Sequence, residues 1–157
     1  MKQKKKKRKR KIFLPLFLIF FIIIIGFYSH QSYETAMHEQ LPDSLIEFEQ
    51  KYPEATDFVE NYHKYKNKSF DLDVSHEVRK DNIPLFIQWD KRWGYKTYGS
   101  NFLGVNGCGP TSLSMVICGL TGKATWNPYK VAQFSQKQGY YISGQGTSWD
   151  LMTAGAK

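Results

Sequence analysis

Apolar residues are distributed along this chain in three distinct patterns. Ile12 to Tyr28 is continuously apolar and uncharged, broken only by Pro15 near its start and Gly26 near its end. As a helix, these residues would span roughly 26 Å, close to the hydrocarbon thickness of a bilayer. From Gln31 to Asp81 the chain is polar, and apolar residues recur at helical intervals: Leu45, Phe48 and Tyr52, then Ala55, Phe58, Val59 and Tyr62. Pro42-Asp43-Ser44 supplies a helix start, and Pro53 opens a second helical segment.

From Ile83 onward the apolar runs are short and closely spaced. Ile83 to Ile87 predicts a strand, with Pro84 suited to a first or edge position. Leu113 to Leu120 predicts a buried helix entered through Gly107-Cys108-Gly109-Pro110 and ended by Gly119 and Gly122. Asn127-Pro128 predicts another helix, with Val131, Ala132 and Phe134 facing inward until Gly139. Tyr140-Tyr141-Ile142 reads as a brief strand and Gly144-Gln145-Gly146 as a turn. Thr147-Ser148-Trp149-Asp150 reads as a helix cap, with Asp150 three residues after the Thr147 hydroxyl. Only Leu151 to Lys157 follow it, so the expectation is a fold incomplete at its carboxyl end. The pattern predicts an α+β domain over 83–157, preceded by a tail at 1–11, a membrane span at 12–28 and a helical spacer at 29–82.

Charge sharpens this division. The formal net charge of +8 suggests a nucleic-acid or membrane partner, but nine of the 22 Lys and Arg residues fall between Lys2 and Lys11. The remainder carries 13 basic against 14 acidic residues, so the basicity belongs to the tail. A basic block before an apolar stretch predicts a single-pass plasma-membrane anchor, amino terminus cytoplasmic and domain extracytoplasmic, with the lipid bilayer as partner of residues 12–28. A cleaved secretory signal is the rival. Phe27, His30 and Glu34 stand where small residues would mark a cleavage site, which favours the anchor. The 11 Phe, 10 Tyr and 4 Trp are not interleaved with basic residues in the domain, so no nucleic-acid partner is expected.

Two cysteines in an exported chain invite a disulfide. If Pro110 to Gly119 is one helix, Cys108 and Cys118 are about 15 Å apart along it, beyond the roughly 7 Å that a bridge spans between α-carbons. Cys118, among Met115, Val116, Ile117 and Leu120, reads as core. Cys108 is different: it sits between glycines at a helix entrance, where free N–H groups and the macrodipole stabilise negative charge. Gln88 carries amide N–H donors able to serve an oxyanion if held near a nucleophile.

Ile83-Pro84-Leu85-Phe86-Ile87-Gln88-Trp89-Asp90-Lys91-Arg92-Trp93-Gly94, then Tyr98-Gly99, then Gly107-Cys108-Gly109-Pro110-Thr111-Ser112-Leu113-Ser114-Met115, resemble the opening of papain-like cysteine peptidases of the bacteriocin-processing type, the peptidase family numbered thirty-nine. They are closer to its exported, membrane-anchored branch in Gram-positive bacteria. The likeness covers about half the chain, from Ile83 to the end; Lys51-Tyr52-Pro53-Glu54 and Asp57 to Tyr62 are similar to the spacer of that branch. It implies a papain-like fold of which this chain holds the amino-terminal part, a thiol hydrolase cleaving a peptide or protein substrate, Cys108 as nucleophile and Gln88 as oxyanion donor.

The resemblance also implies a histidine after the cysteine, then an aspartate or asparagine. His30, His38, His63 and His76 all precede Cys108, so the general base is not expected within this chain. Two alternatives remain: a non-catalytic cell-surface binding module on the same fold, and a thiol amidase acting on peptidoglycan. No phosphate loop or zinc-ligand spacing occurs, and no metal or organic cofactor is implied.

Overall fold

The computed structural model describes residues 3–39 and 41–155, in two compact units that divide after Leu41. The first is a single helix, α1 (Gln3–Glu39). Its stretch Phe17–Ala36 is 20 residues long with mean hydropathy 1.3 and none of it buried. That is long and apolar enough to cross a membrane, as either an anchor or a signal sequence. It begins five residues later than the span expected at 12–28 and runs on past it; the side chains of 12–14 and 16 lie outside the described set, as does that of His38.

The second unit begins at Pro42, so the sequence expected to be a spacer folds together with the residues after 82. Asp43–Lys51 forms α2, Pro53–Ala55 a turn of 3₁₀ helix, Thr56–Glu60 α3 and Tyr62–Tyr65 α4. Leu45, Phe48, Ala55, Phe58 and Val59 are buried, as their helical spacing requires. Phe58 stacks on Tyr95 with ring centroids 4.3 Å apart. Its ring also occupies the space that a Cβ would fill at Gly94 and at Gly104, at 2.7 and 2.6 Å. These two glycines let the aromatic stripe reach the backbone of the second half of the unit.

The main core joins Val74, Phe86, Trp93, Tyr98, Leu103, Cys118 and Ala132. Each large apolar side chain fully removed from water there contributes about 1.5–3 kcal/mol. A smaller cluster holds Leu113, Val131 and Leu151. Arg92 reinforces the outside of the main core, pairing with Glu77 and with Asp90, the latter at 2.8 Å, while lying over the Trp93 ring at 4.4 Å.

Ile83 to Ile87 forms no strand. Pro84 has no N–H to give, Leu85 is 77% exposed, and the Phe86 N–H is directed at the Met115 sulfur, 3.3 Å away. The observed strands are two short antiparallel hairpins. Thr97–Tyr98 (β1) pairs with Asn101–Phe102 (β2) across Gly99, whose φ is 64°. Tyr141–Ile142 (β3) pairs with Gly146–Thr147 (β4), with Gly144 and Gly146 at positive φ. Between the hairpins come α5 (Leu103–Asn106), α6 (Cys108–Thr121) and α7 (Pro128–Lys137), and α8 (Asp150–Gly155) follows them. Gly122 closes α6 at φ 69°, and its N–H returns to the Cys118 carbonyl. Asn127 caps α7 by accepting from Lys130 N–H at 3.0 Å, with Pro128 in the first turn.

The cap of α8 differs from the sequence expectation. Ser148 Oγ accepts from the Asp150 N–H at 3.2 Å and donates to its carboxylate at 3.0 Å. Thr147 instead pairs with the Tyr98 hydroxyl at 2.8 Å. The architecture is mixed helix and small sheet, consistent with an α+β class.

Candidate active site around Cys108

Backbone hydrogen bonds place Gly104 and Gly107 ahead of Cys108. The Gly104 N–H donates to the Gly94 carbonyl at 2.8 Å, and the Gly107 N–H to the Leu103 carbonyl at 2.7 Å, closing α5. Gly107 is then the N-cap of α6, and Cys108 is its first helical residue, two residues before the Pro110 start predicted from sequence. A Cβ at Gly107 would lie 2.4 Å from the Leu103 carbonyl oxygen, so only glycine allows this tight junction between α5 and α6.

The two thiols are both free and sit in opposite environments: Cys108 is exposed and Cys118 buried. Burial pushes the Cys118 thiol up from its ordinary value, partly offset by hydrogen bonds with Ser114 and the Trp126 carbonyl. Cys118 is therefore core, as its surroundings in the sequence implied.

Gln88 is partly buried, and its Nε2 donates to the Gly104 carbonyl at 2.8 Å. That carbonyl belongs to α5, the turn directly ahead of Gly107 and Cys108. The structure thus fixes the amide to the element that delivers the thiol. One Nε2 hydrogen is used at Gly104, and the group has a second.

The β3–β4 hairpin packs on the first turn of α6. A Cβ at Gly109 would lie 2.8 Å from the Thr147 side chain. Thr147 is held in turn by Tyr98, whose hydroxyl also meets buried Ser135 at 2.7 Å. Tyr141 completes this wall: its phenol meets the Ser100 hydroxyl at 2.9 Å and accepts from the Ser100 N–H at 3.2 Å. These bonds hold the Tyr141 phenol below its ordinary value, and the Asn106 amide adds to the effect. The roles of Gly104, Thr147 and Tyr141 were not read from sequence. The nearest signal was the spacing of the glycines 94, 99, 104, 107 and 109, which marks close backbone approach.

The described histidines have other neighbours. His30 lies 3.7 Å from Glu34 on α1, and His76 3.6 Å from Glu77. The His63 ring packs edge-on against Tyr62, with its Nε2 buried and unpartnered. Among the described residues none is hydrogen-bonded or ion-paired to Cys108, and no group of three or more His, Cys, Asp and Glu side chains could hold a metal ion. Asp150 is occupied at the start of α8. No family model, curated protein or solved structure matches the chain.

Proposed function

We propose that the second unit carries the nucleophile-bearing part of a papain-like cysteine peptidase acting on a peptide or protein substrate, with α1 as its membrane anchor and the domain extracytoplasmic. The observation that supports this reading is the pairing of an exposed thiol at the first residue of a helix with a glutamine amide tied to the preceding turn. Free N–H groups at the start of α6 and the second Gln88 N–H are the donors that a developing oxyanion needs. In the reaction, the Cys108 sulfur attacks the scissile carbonyl, and the C=O electron pair moves onto oxygen. Collapse of that intermediate breaks the C–N bond, the amine leaves with the thiol's proton, and a thioester remains. Water then attacks the thioester, releasing the carboxylic acid and restoring the thiol. An imidazole must carry both proton transfers, and in the second unit His76 lies beside Glu77 while His63 packs on Tyr62.

That last observation favours a second reading, a non-catalytic binding module. A peptide carrying a thiol-reactive vinyl sulfone separates the two. The peptidase reading expects rapid, saturable labelling of Cys108, abolished in Cys108→Ala and slowed at least about tenfold in Gln88→Ala, the cost of losing one oxyanion donor. Labelling no faster than that of a small exposed thiol, with equal reversible peptide affinity in both variants, would establish the binding module instead.

A further inference from the structure

Asn106-Gly107 is the chain's single Asn-Gly dipeptide, and it directly precedes Cys108. Glycine puts no side chain in the way of its own nitrogen, which can therefore attack the neighbouring asparagine amide. The Gly107 nitrogen forms a bond to Cγ of Asn106; the Cγ–Nδ2 bond breaks, and ammonia leaves with the proton that Gly107 gives up. The product is a five-membered succinimide. Water opens it at either carbonyl, giving aspartate or isoaspartate, and isoaspartate lengthens the main chain by one methylene. The other five asparagines are followed by Tyr62, Lys68, Ile83, Phe102 and Pro128, whose side chains hinder the attack or, for proline, leave no N–H to start it. The fold restrains both reactants at position 106. Gly107 is buried, and its N–H is donated to the Leu103 carbonyl at 2.7 Å. Asn106 is the last residue of α5, and ring closure requires it to leave helical ψ. Its carbonyl is covered by β4, where a Cβ at Gly146 would lie 3.6 Å from the oxygen. Tyr141, on the paired strand β3, ties this hairpin to the turn that leads into β2 and α5. Its ring fills the space beside Gly99, and its phenol meets the Ser100 hydroxyl, accepts from the Ser100 N–H and is reached by the Asn106 amide.

We propose that Asn106 is a self-modification site: local opening of the α5–α6 junction lets Gly107 convert it through a succinimide to isoaspartate, and Tyr141 sets the rate by holding the junction shut. The restraint is local. Breaking the one Gly107–Leu103 bond frees Asn106 while Leu103 stays in the core, so the reaction does not wait for the second unit to unfold. The added methylene falls between Gly104, which holds the Gln88 amide, and Cys108, so the conversion separates the pair irreversibly. What that separation does to catalysis rests on the function proposed above; the modification itself does not.

The test incubates the full chain in neutral nonionic micelles at mildly alkaline pH and follows each asparagine by peptide mapping with mass spectrometry. In urea, Asn106 should convert fastest of the six. In the folded chain it should convert at least about tenfold more slowly, the protection given by the buried, bonded junction. Tyr141→Phe keeps the ring over Gly99 and removes the oxygen; it should raise the folded rate about fivefold, the effect of losing about one hydrogen bond. Asn127→Asp weakens the unit at α7 without touching the junction and should change the rate less than about twofold. The aged parent chain should lose about 0.5 M from its urea midpoint, and Asn106→Gln aged alongside it should lose none. Equal Asn106 rates in urea and in the folded chain, no effect of Tyr141→Phe, an equal rise in Asn127→Asp, or an aged parent as stable as a fresh one overturns the proposal. None of these readouts uses the reactivity of Cys108, so their failure is distinct from failure of the peptidase reading.

Discussion

Gly109→Ala sets local propensity against packing, and the two predict opposite signs. Within a helix, replacing glycine by alanine ordinarily stabilises by about 0.5–1 kcal/mol. Here the new Cβ would lie 2.8 Å from both Cβ and Cγ2 of Thr147 and 3.0 Å from its Oγ1. Ordinary carbon contacts fall at about 3.5–4.0 Å, so roughly 1 Å of movement is required. Thr147 cannot swing aside freely: it is β-branched, and its hydroxyl is tied to Tyr98, which is tied to buried Ser135. Overpacking costs about 1–3 kcal/mol, and losing the Tyr98–Thr147 bond adds about 1 kcal/mol. Net of the helix gain, Gly109→Ala should destabilise the second unit by about 2 kcal/mol. All four tryptophans lie in that unit, so urea unfolding of the full chain in nonionic micelles can be followed by fluorescence. At about 2 kcal/mol/M the midpoint should fall by about 1 M. Combining the change with Thr147→Gly should show a coupling of at least about 1 kcal/mol, because the clash is then removed. A Gly109→Ala variant as stable as the parent, or strictly additive effects in the double variant, would refute the packing of the β3–β4 hairpin on the first turn of α6.

Stability should decline on the alkaline side. Burial raises the Cys118 thiol and the Tyr95 phenol above their ordinary values, so each favours folding below its unfolded pKa and loses that contribution as pH rises toward its folded value. The decline should begin near about pH 8.5 for the thiol and about pH 10 for the phenol, and Cys118→Ala should remove the first step, read as the urea midpoint against pH. Asn127→Asp keeps the oxygen that caps α7 but loses the Nδ2 donor to the Leu72 carbonyl, 3.0 Å away, and sets a carboxylate against that oxygen. Despite the favourable helix position, it should cost about 1–3 kcal/mol in the same unfolding assay, where a purely capping role would leave stability unchanged.

What could be read from sequence was what depends on neighbours in the chain. The apolar run after Pro110, the Gly122 stop, the Asn127-Pro128 start and the Gly144-Gln145-Gly146 turn after the Tyr140–Ile142 strand are local signals, and all appear close to their expected places. The failures came where a distant partner decided the outcome. Ile83 to Ile87 has strand composition, but Met115 takes the Phe86 N–H, and no neighbouring strand accepts it. Thr147 has the spacing of a cap, but Tyr98 claims its hydroxyl and Ser148 takes over the role. The unit boundary was placed near 82 on composition, yet Phe58 packs against Gly94 and Gly104, contacts that helical periodicity alone cannot announce. At the candidate site, Cys108 and Gln88 were legible as chemistry; Gly104, which joins them, was not, because its contribution is a backbone carbonyl.

That carbonyl gives the aromatic stripe a role at the site. Phe58 fills the space beside Gly104 and stacks on Tyr95, whose hydroxyl donates back to the Phe58 carbonyl at 2.6 Å. The position of Gly104 therefore depends on a residue from the stretch read as a spacer, and Gly104 holds both the Gln88 amide and the turn that leads to the thiol. Shortening Phe58 would open a cavity next to α5, at a stability cost of about 3–5 kcal/mol for a buried ring, and would loosen the anchor of Gln88 before it touched Cys108 itself. The helices between α1 and residue 82 are thus structural parts of the candidate site, and the thiol and its amide cannot be transplanted without them.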